Sequence, residues 1–347
     1  MFTKPIFDKP NVLVTGGAGF IGSHLCEALL KGGNSASGGS AVGGKVICVD
    51  DFTSGSQSNI EHLLANPDFI FLKHDVTVPV DLETFPELER FKVKFQGVQE
   101  IYHLACPTSP KDFEAQRVKT LLANAYGTIN ALHLAQRYEA KFLLASSSVV
   151  YGARPPGVRY HREDQYGASD HLSPRACYDE GKRFAETATA TYRQQYGIAA
   201  KIARIFRTFG PRQKLRIGEM MPDFIVNALE GKNLVVYGEE SFSTSLTYVD
   251  DIVAGLLKLM ASDEGGPMNF GNPEEYRLAD VAQKIIEMTG SSSKVVFEAP
   301  LLFMTPLGLP DITLARELLG WMPIVRLEDG LKKSIEYAQA HKEMLGY

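Results

Sequence analysis

The sequence predicts an α/β protein whose core is a parallel, doubly wound sheet, and two patterns in its first two hundred residues predict it. Short β-branched runs alternate with longer stretches of helical spacing, the signature of β-α-β units. The runs are apolar throughout rather than alternating, as expected of strands covered on both faces. Beyond about Thr208 the rhythm changes to scattered helices and short strands. This predicts a first domain over residues 1–207 and a smaller C-terminal α/β lobe over 208–347, with room for some of its segments to return to the first domain.

Taken in order, the expected strands are residues 11–15, 45–50, 69–74, 100–104, 141–146 and 199–206. A helix is expected over 23–30, after the first strand. Between it and the second strand, residues 32–44 read GGNSASGGSAVGG, without periodicity or apolar surface, and are expected to form a flexible loop. In the second lobe, helices are expected over 222–231 and 278–289, and strands over 234–237 and 294–298.

Composition narrows the function classes. With 347 residues, 44% of them hydrophobic and 22% charged, the chain can bury a sizeable core. A net charge of −5 supplies no field for holding a polyanion, so nucleic acid is not an expected partner. Cys26, Cys48, Cys106 and Cys177 are too scattered for a zinc site or a disulfide framework, and no metal is expected. No apolar stretch approaches the ~18 residues of a membrane span, and the first residues lack the apolar core of a signal peptide. Cytoplasm is the expected location.

Residues 11–22, NVLVTGGAGFIG, run from a buried strand through three glycines at three-residue spacing into an apolar helix. Gly16 would permit the tight turn, Gly19 would let a pyrophosphate approach the backbone, and Gly22 would let the helix pack on the sheet. This predicts a Rossmann-type dinucleotide seat. The second strand ends at Asp50, whose carboxylate would accept both ribose hydroxyls of an adenosine and repel a 2′-phosphate, so NAD is expected rather than NADP. Asp50 falls later than the usual ~20 residues after the glycines because the Gly/Ser loop intervenes. Asp75, closing the third strand, fits a place near the adenine and fits a strand-end turn equally well.

Tyr178 and Lys182 stand four apart on an expected helix and share a face. An ammonium beside a phenol favours the phenolate, so Tyr178 can serve as a base near neutral pH. The preceding strand ends in Ser146, Ser147 and Ser148, placing hydroxyls at the sheet edge where a nicotinamide would lie. Together these make a proton-relay constellation.

With these residues in place, the chain resembles the extended short-chain dehydrogenase/reductase family, and most closely its UDP-glucuronic acid decarboxylase branch. The likeness is carried by TGGAGFIGSHL (15–25), HDVTVP (74–79), YHLACPTSP (102–110), SPRACYDEGKRFAET (173–187), ARIFRTFGPR (203–212), VVYG (235–238), NFGNPEEY (269–276) and PDITLARELLGW (310–321). The resemblance implies Ser147 as the catalytic hydroxyl, Tyr178 as the base and Lys182 as its electrostatic support. It implies that Phe20, Ile21, Val76, Leu104 and Ala105 join the glycines, Asp50 and Asp75 around NAD. It further implies that Pro107, Thr108, Ser109, Ser148, Val149, Arg207, Asp223 and Thr244 face the substrate, a nucleotide sugar or related polyol, and that the protein is a homodimer. In that family a sugar's C4 hydroxyl is oxidised to a ketone and the cofactor later returns the hydride.

The chain departs from the branch at the substrate end. Val149 stands where the family has a glutamate, Arg207 where it has an asparagine, Thr244 where it has an arginine and Leu309 where another arginine is usual. Loss of the acid shifts the expectation from decarboxylation toward 4-epimerisation, or toward oxidoreduction of a remodelled, non-UDP sugar or nucleoside. The competing class is a non-catalytic, NAD-bound sensor, against which the intact Ser147, Tyr178 and Lys182 argue. His24, His103 and His171 sit at no metal-ligand spacing, and Trp321 is expected to anchor the second lobe's core.

Overall fold

The computed structural model describes residues 9–32, 43–109, 115–215, 218–300 and 308–341. Most of the Gly/Ser loop lies outside the described residues, as does Arg216.

Seven strands form the central sheet: β1 (Asn11–Thr15), β2 (Lys45–Asp50), β3 (Phe69–Lys73), β4 (Glu100–His103), β5 (Lys141–Ser147), β6 (Ala200–Ile205) and β7 (Pro267–Phe270). They run parallel in the order β3-β2-β1-β4-β5-β6-β7. The chain therefore winds outward from β1 to β3, then crosses to the other side of β1 and winds outward again. Where the order reverses, between β1 and β4, a crevice opens at the strands' carboxyl ends.

Six strands match the expected positions to within a residue at each end; β7 was not expected. It begins with Pro267 and carries Asn269, poor strand formers, yet it lies on the sheet's edge, where a missing N–H is tolerated. It brings residues from the C-terminal stretch back into the first sheet.

Alternation along each strand feeds two cores. Leu13, Ile47, Val49, Ile70, Phe142 and Leu144 pack on one face. Val12, Val14, Val46 and Leu143 face the other, whose cluster continues into Phe224, Ile252, Leu256, Ile285 and Leu331 of the C-terminal lobe. Each such side chain contributes roughly 1.5–3 kcal/mol when fully buried. Trp321 lies at this junction rather than inside the lobe alone. It is 2% exposed, meets the Phe270 ring edge-on with centroids 4.9 Å apart, and donates its Nε1–H to the Asp251 carbonyl at 2.8 Å.

Four helices position the site. Helix α1 (Phe20–Lys31) follows the glycine turn, and α2 (Arg117–Leu122) leads through a wide π-type turn, Ala123–Gly127, into α3 (Thr128–Tyr138). The 21-residue α4 (Ala176–Tyr196) carries Tyr178 and Lys182.

Candidate active site

A cleft of about 690 Å³ follows the carboxyl ends of the sheet from Gly16 to Tyr337. Its floor at one end is backbone. Gly16 adopts φ +72°, and a Cβ there would stand 2.7 Å from the Ala105 nitrogen; a Cβ on Gly22 would stand 2.1 Å from the Gly16 carbonyl oxygen. No side chain closes either approach, so α1 starts hard against the sheet. Its amino end has no side-chain cap and no acidic residue in its first turn, which leaves the N–H groups and the positive end of the helix dipole facing the cleft.

Asp50 ends β2 with 8% exposure and is fixed by its own surroundings: its carboxylate accepts from the Ala18 N–H at 3.0 Å and the Phe52 N–H at 2.8 Å. Burial pushes its carboxyl up, with those two amides opposing. Burial also pushes Asp51 up, but hydrogen bonds from Lys119 and Thr53 outweigh it and hold the carboxyl below its ordinary value. Lys119 Nζ reaches Asp51 at 2.6 Å and also binds the Thr53 hydroxyl.

At the other end, α4 delivers Tyr178 over the tip of β5. Its ring is 7% exposed, and its hydroxyl shares a hydrogen bond with the Ser147 side chain. Lys182 lies one turn on, its Nζ 5.8 Å from the Tyr178 ring centroid and donating to the Ala145 carbonyl at 2.9 Å. Burial pushes the phenol well above the ordinary tyrosine range, and nearby Cys106 adds to this, against Ser147 and Arg175. Burial also pushes Lys182 down, with Cys106 and Glu186 opposing. The expected lowering of Tyr178 by Lys182 is therefore not reached by the protein groups alone: both side chains are buried, and desolvation of the phenolate is the largest effect on Tyr178.

Gly16, Gly19, Phe20, Ile21, Gly22, Asp50, Asp75, Val76, Leu104 and Ala105 all line the cleft, as do Pro107, Thr108, Ser147, Ser148, Val149, Tyr178, Lys182 and Arg207. Ser109, Asp223 and Thr244 do not. Ser109 is buried at 1% exposure, Asp223 sits in the first turn of the helix Met220–Leu229, and Thr244 pairs with Tyr276 in a two-stranded ribbon. Leu309 is also buried off the cleft, in a short bridge to Tyr160. Ser146 turns its hydroxyl to Glu186, which Arg204 holds through two nitrogens. Val149, 5% exposed, packs with Tyr178 against Cys106 and Cys177.

Sequence reasoning missed Lys119, Arg175 and Asn124. Arg175 and Lys119 line the cleft. Asn124, on the π-type turn, donates to the Cys106 sulfur at 3.0 Å. Arg175 was legible as the residue one turn before Tyr178; nothing in the sequence marks a π-type turn. His103 is a core residue, held between Thr15 and Thr128, and burial lowers its pKa to about 3.

The model of one family, described as the NAD dependent epimerase/dehydratase family, matches residues 12–271, well over half of the chain. The chain belongs to that family. Among curated relatives, it is 40% identical over 336 residues to UDP-glucuronic acid decarboxylase 1 of Xenopus tropicalis, covering 97% of this chain and 74% of the relative. It is 41% identical over 330 residues to the Danio rerio protein of the same name, covering 95% of this chain and 73% of the relative. Among solved structures, the UDP-glucuronic acid 4-epimerase of Bacillus cereus, in complex with UDP-glucuronic acid and NAD, superposes with a TM-score of 0.79 at 27% identity, covering 95% of this chain and 99% of that one. As a member, the chain is an enzyme of the extended short-chain dehydrogenase/reductase type.

Proposed function

We propose that the protein is an NAD-dependent enzyme that oxidises a ring hydroxyl of a nucleotide sugar to a ketone and then reduces it again, without net consumption of the cofactor. The observation that carries this reading is the Tyr178 hydroxyl, hydrogen-bonded to Ser147 beside Lys182, in the same cleft as the uncapped start of α1 and Asp50. The residues present fit the cofactor. The glycine turn and α1 would hold its pyrophosphate, and Asp50 its adenosine ribose. When bound, NAD supplies a hydride acceptor and a positive charge. Tyr178 would take the hydroxyl proton, Ser147 would orient that hydroxyl, and Lys182 would favour the phenolate.

A second outcome at the same site, 4-epimerisation rather than decarboxylation, is favoured by Val149. An apolar side chain packed on Tyr178 has no proton to give or take, so nothing there assists loss of CO₂ or reprotonation of the product. The relatives' names support UDP-glucuronate as the first substrate to try.

Isothermal titration with NAD and with UDP-glucuronate, followed by product analysis, tests the reading. Binding of both, with a C4-epimerised sugar and little CO₂, supports it. Failure of NAD to bind removes it, and abundant UDP-xylose with stoichiometric CO₂ overturns the role given to Val149.

Two further features fit the same reading. All four cysteines are free thiols, consistent with a reducing compartment such as the cytoplasm. Val118, Leu121, Tyr126 and Phe184 are exposed on neighbouring α2, the π-type turn and α4, and support a homodimer through these helices, which sedimentation velocity tests.

A further inference from the structure

We infer that Arg207 reads the charge of the sugar: together with Arg175 it seats a carboxylate carried by the ring at C5 and keeps that carboxylate attached while C4, one carbon further round the ring, is a ketone. The inference rests on the nucleotide-sugar reading above and deepens it.

Arg207 stands two residues past the end of β6, and its carbonyl accepts from the Thr247 N–H at 3.0 Å, which fixes the backbone at the carboxyl edge of the sheet. From there the side chain lines the cleft. Among the described residues it forms no ion pair; its one side-chain hydrogen bond is a long contact from Nη1 to the Met220 sulfur at 3.7 Å. Glu219 acts on it only through space, while burial and Arg175 both work against its charge. A half-buried guanidinium so placed is stabilised by an anion arriving from the cleft, since a partly desolvated charge gains from a partner and a carboxylate can engage the planar fork with two hydrogen bonds.

The position of Arg175 says which part of the ligand carries that anion. Arg175 stands one helical turn before Tyr178 and lines the same cleft, and its charge is felt by both Tyr178 and Arg207. A group meeting both guanidiniums lies beside the ring whose hydroxyl meets Tyr178. Arg175 already donates from Nε to the Asp179 carboxylate at 3.0 Å, so a ligand meets the remaining nitrogens of its fork, and Glu219 also lines the cleft; at position 149 Val149 closes the wall and offers no carboxylate.

This placement bears on the reaction's outcome. In a 4-keto uronate, loss of CO₂ breaks the bond between C5 and C6 and leaves its electron pair in an enolate over C5, C4 and the C4 oxygen. The charge then leaves the carboxylate. Contacts that stabilise the carboxylate stabilise the starting state more than the transition state, and so slow this step.

The test uses the NAD-loaded protein, titrated with UDP-glucuronate and with UDP-glucose, which differ only in the oxidation state of C6. The native protein is expected to prefer UDP-glucuronate by at least about tenfold. Arg207→Gln is expected to weaken UDP-glucuronate by about 10- to 100-fold while changing UDP-glucose by less than about threefold, and to raise the fraction of turnovers that release CO₂. Arg207→Lys should keep part of the preference, and it replaces the glutamine variant if that one fails to retain NAD or lowers the unfolding midpoint sharply. Equal loss for both sugars would assign Arg207 to the diphosphate they share and overturn the inference, leaving the nucleotide-sugar reading intact. Equal affinity of the native protein for the two sugars would overturn it without any variant. If neither sugar nor UDP binds, the nucleotide-sugar reading falls and takes this inference with it.

Discussion

At the Asp50 end of the cleft the polar groups are tied to one another before any ligand arrives, whereas at the Arg207 end a half-buried cation faces the cleft with no ion pair among the described residues. Asp50 is held by two backbone amides, Asp51 by Thr53 and Lys119, and the glycine turn by contacts of backbone on backbone. Arg207 has a long contact to a thioether, and Glu219 of the same cleft acts on it through space. One end is preorganised for a ligand of fixed shape. The other leaves its electrostatics to be completed by whatever binds, which is where specificity among related sugars would reside.

The largest effect expected from this contrast is on the group between the two ends. Tyr178→Phe removes the proton acceptor and keeps the ring that fills the site, so turnover should fall by about 10²- to 10⁴-fold while NAD affinity changes by less than about threefold. Paired activity and titration measurements check this. Equal loss of both would mean that Tyr178 builds the cofactor end rather than the reaction.

Next in size is the backbone floor itself. Gly22→Ala puts a methyl group where 2.1 Å separates it from the Gly16 carbonyl, so α1 must move off the turn. Overpacking of this kind costs about 1–3 kcal/mol. Urea unfolding should show that loss together with at least a tenfold weaker NAD affinity. A neutral outcome would show that the cofactor end is softer than the contrast requires.

Acid should weaken the same end. Burial lowers His103 to about 3, with Lys182 adding to it, and lowers His24 to about 4, with Arg212 adding to it. Unfolded, both titrate near 6.5. Between these values the unfolded chain takes up the protons and the folded chain does not. The stability is therefore fully present above about pH 6.5 and is lost as pH falls toward 4, by up to about 1.4 kcal/mol per histidine per pH unit. Unfolding curves from pH 7 to 5 measure the slope, and His103→Asn should make it shallower. An unchanged slope in that variant would show that His103 is not neutral in the fold.

The same division governs what could be read from the sequence. The glycine spacing, Asp50 and the Tyr178–Lys182 pair are local patterns set by turn geometry and helix periodicity, so they were legible with nearly the right element boundaries. Edge strand β7 was not, because Pro267 and Asn269 oppose strand propensity and only pairing with β6 overrides it. Lys119 and Arg175 reach the cleft from chain segments far from the glycine turn, and the π-type turn under Asn124 has no composition of its own. The high phenol pKa of Tyr178 depends on how deeply α4 sinks against β5, a quantity that four-residue spacing does not contain.

The smallest effect is expected at Thr244, and it is the sharpest check on where the substrate end stops. Resemblance makes this position a substrate contact, but its side chain is 8% exposed and stands opposite Tyr276 in a ribbon that does not line the cleft. The neighbouring Ser243 hydroxyl is turned to Glu275 at 2.7 Å, and Glu275 is itself paired with Arg154 and Arg159, so this ribbon is bound into the lobe rather than poised over a ligand. Thr244→Ser keeps the hydroxyl and loses one methyl group, and it should change UDP-glucuronate affinity by less than about threefold while lowering stability by about 1 kcal/mol or less. Titration and thermal unfolding of that variant separate the two effects. A tenfold loss of affinity at unchanged stability would extend the substrate end across the ribbon, and Arg207 would then be only one part of a wider recognition surface.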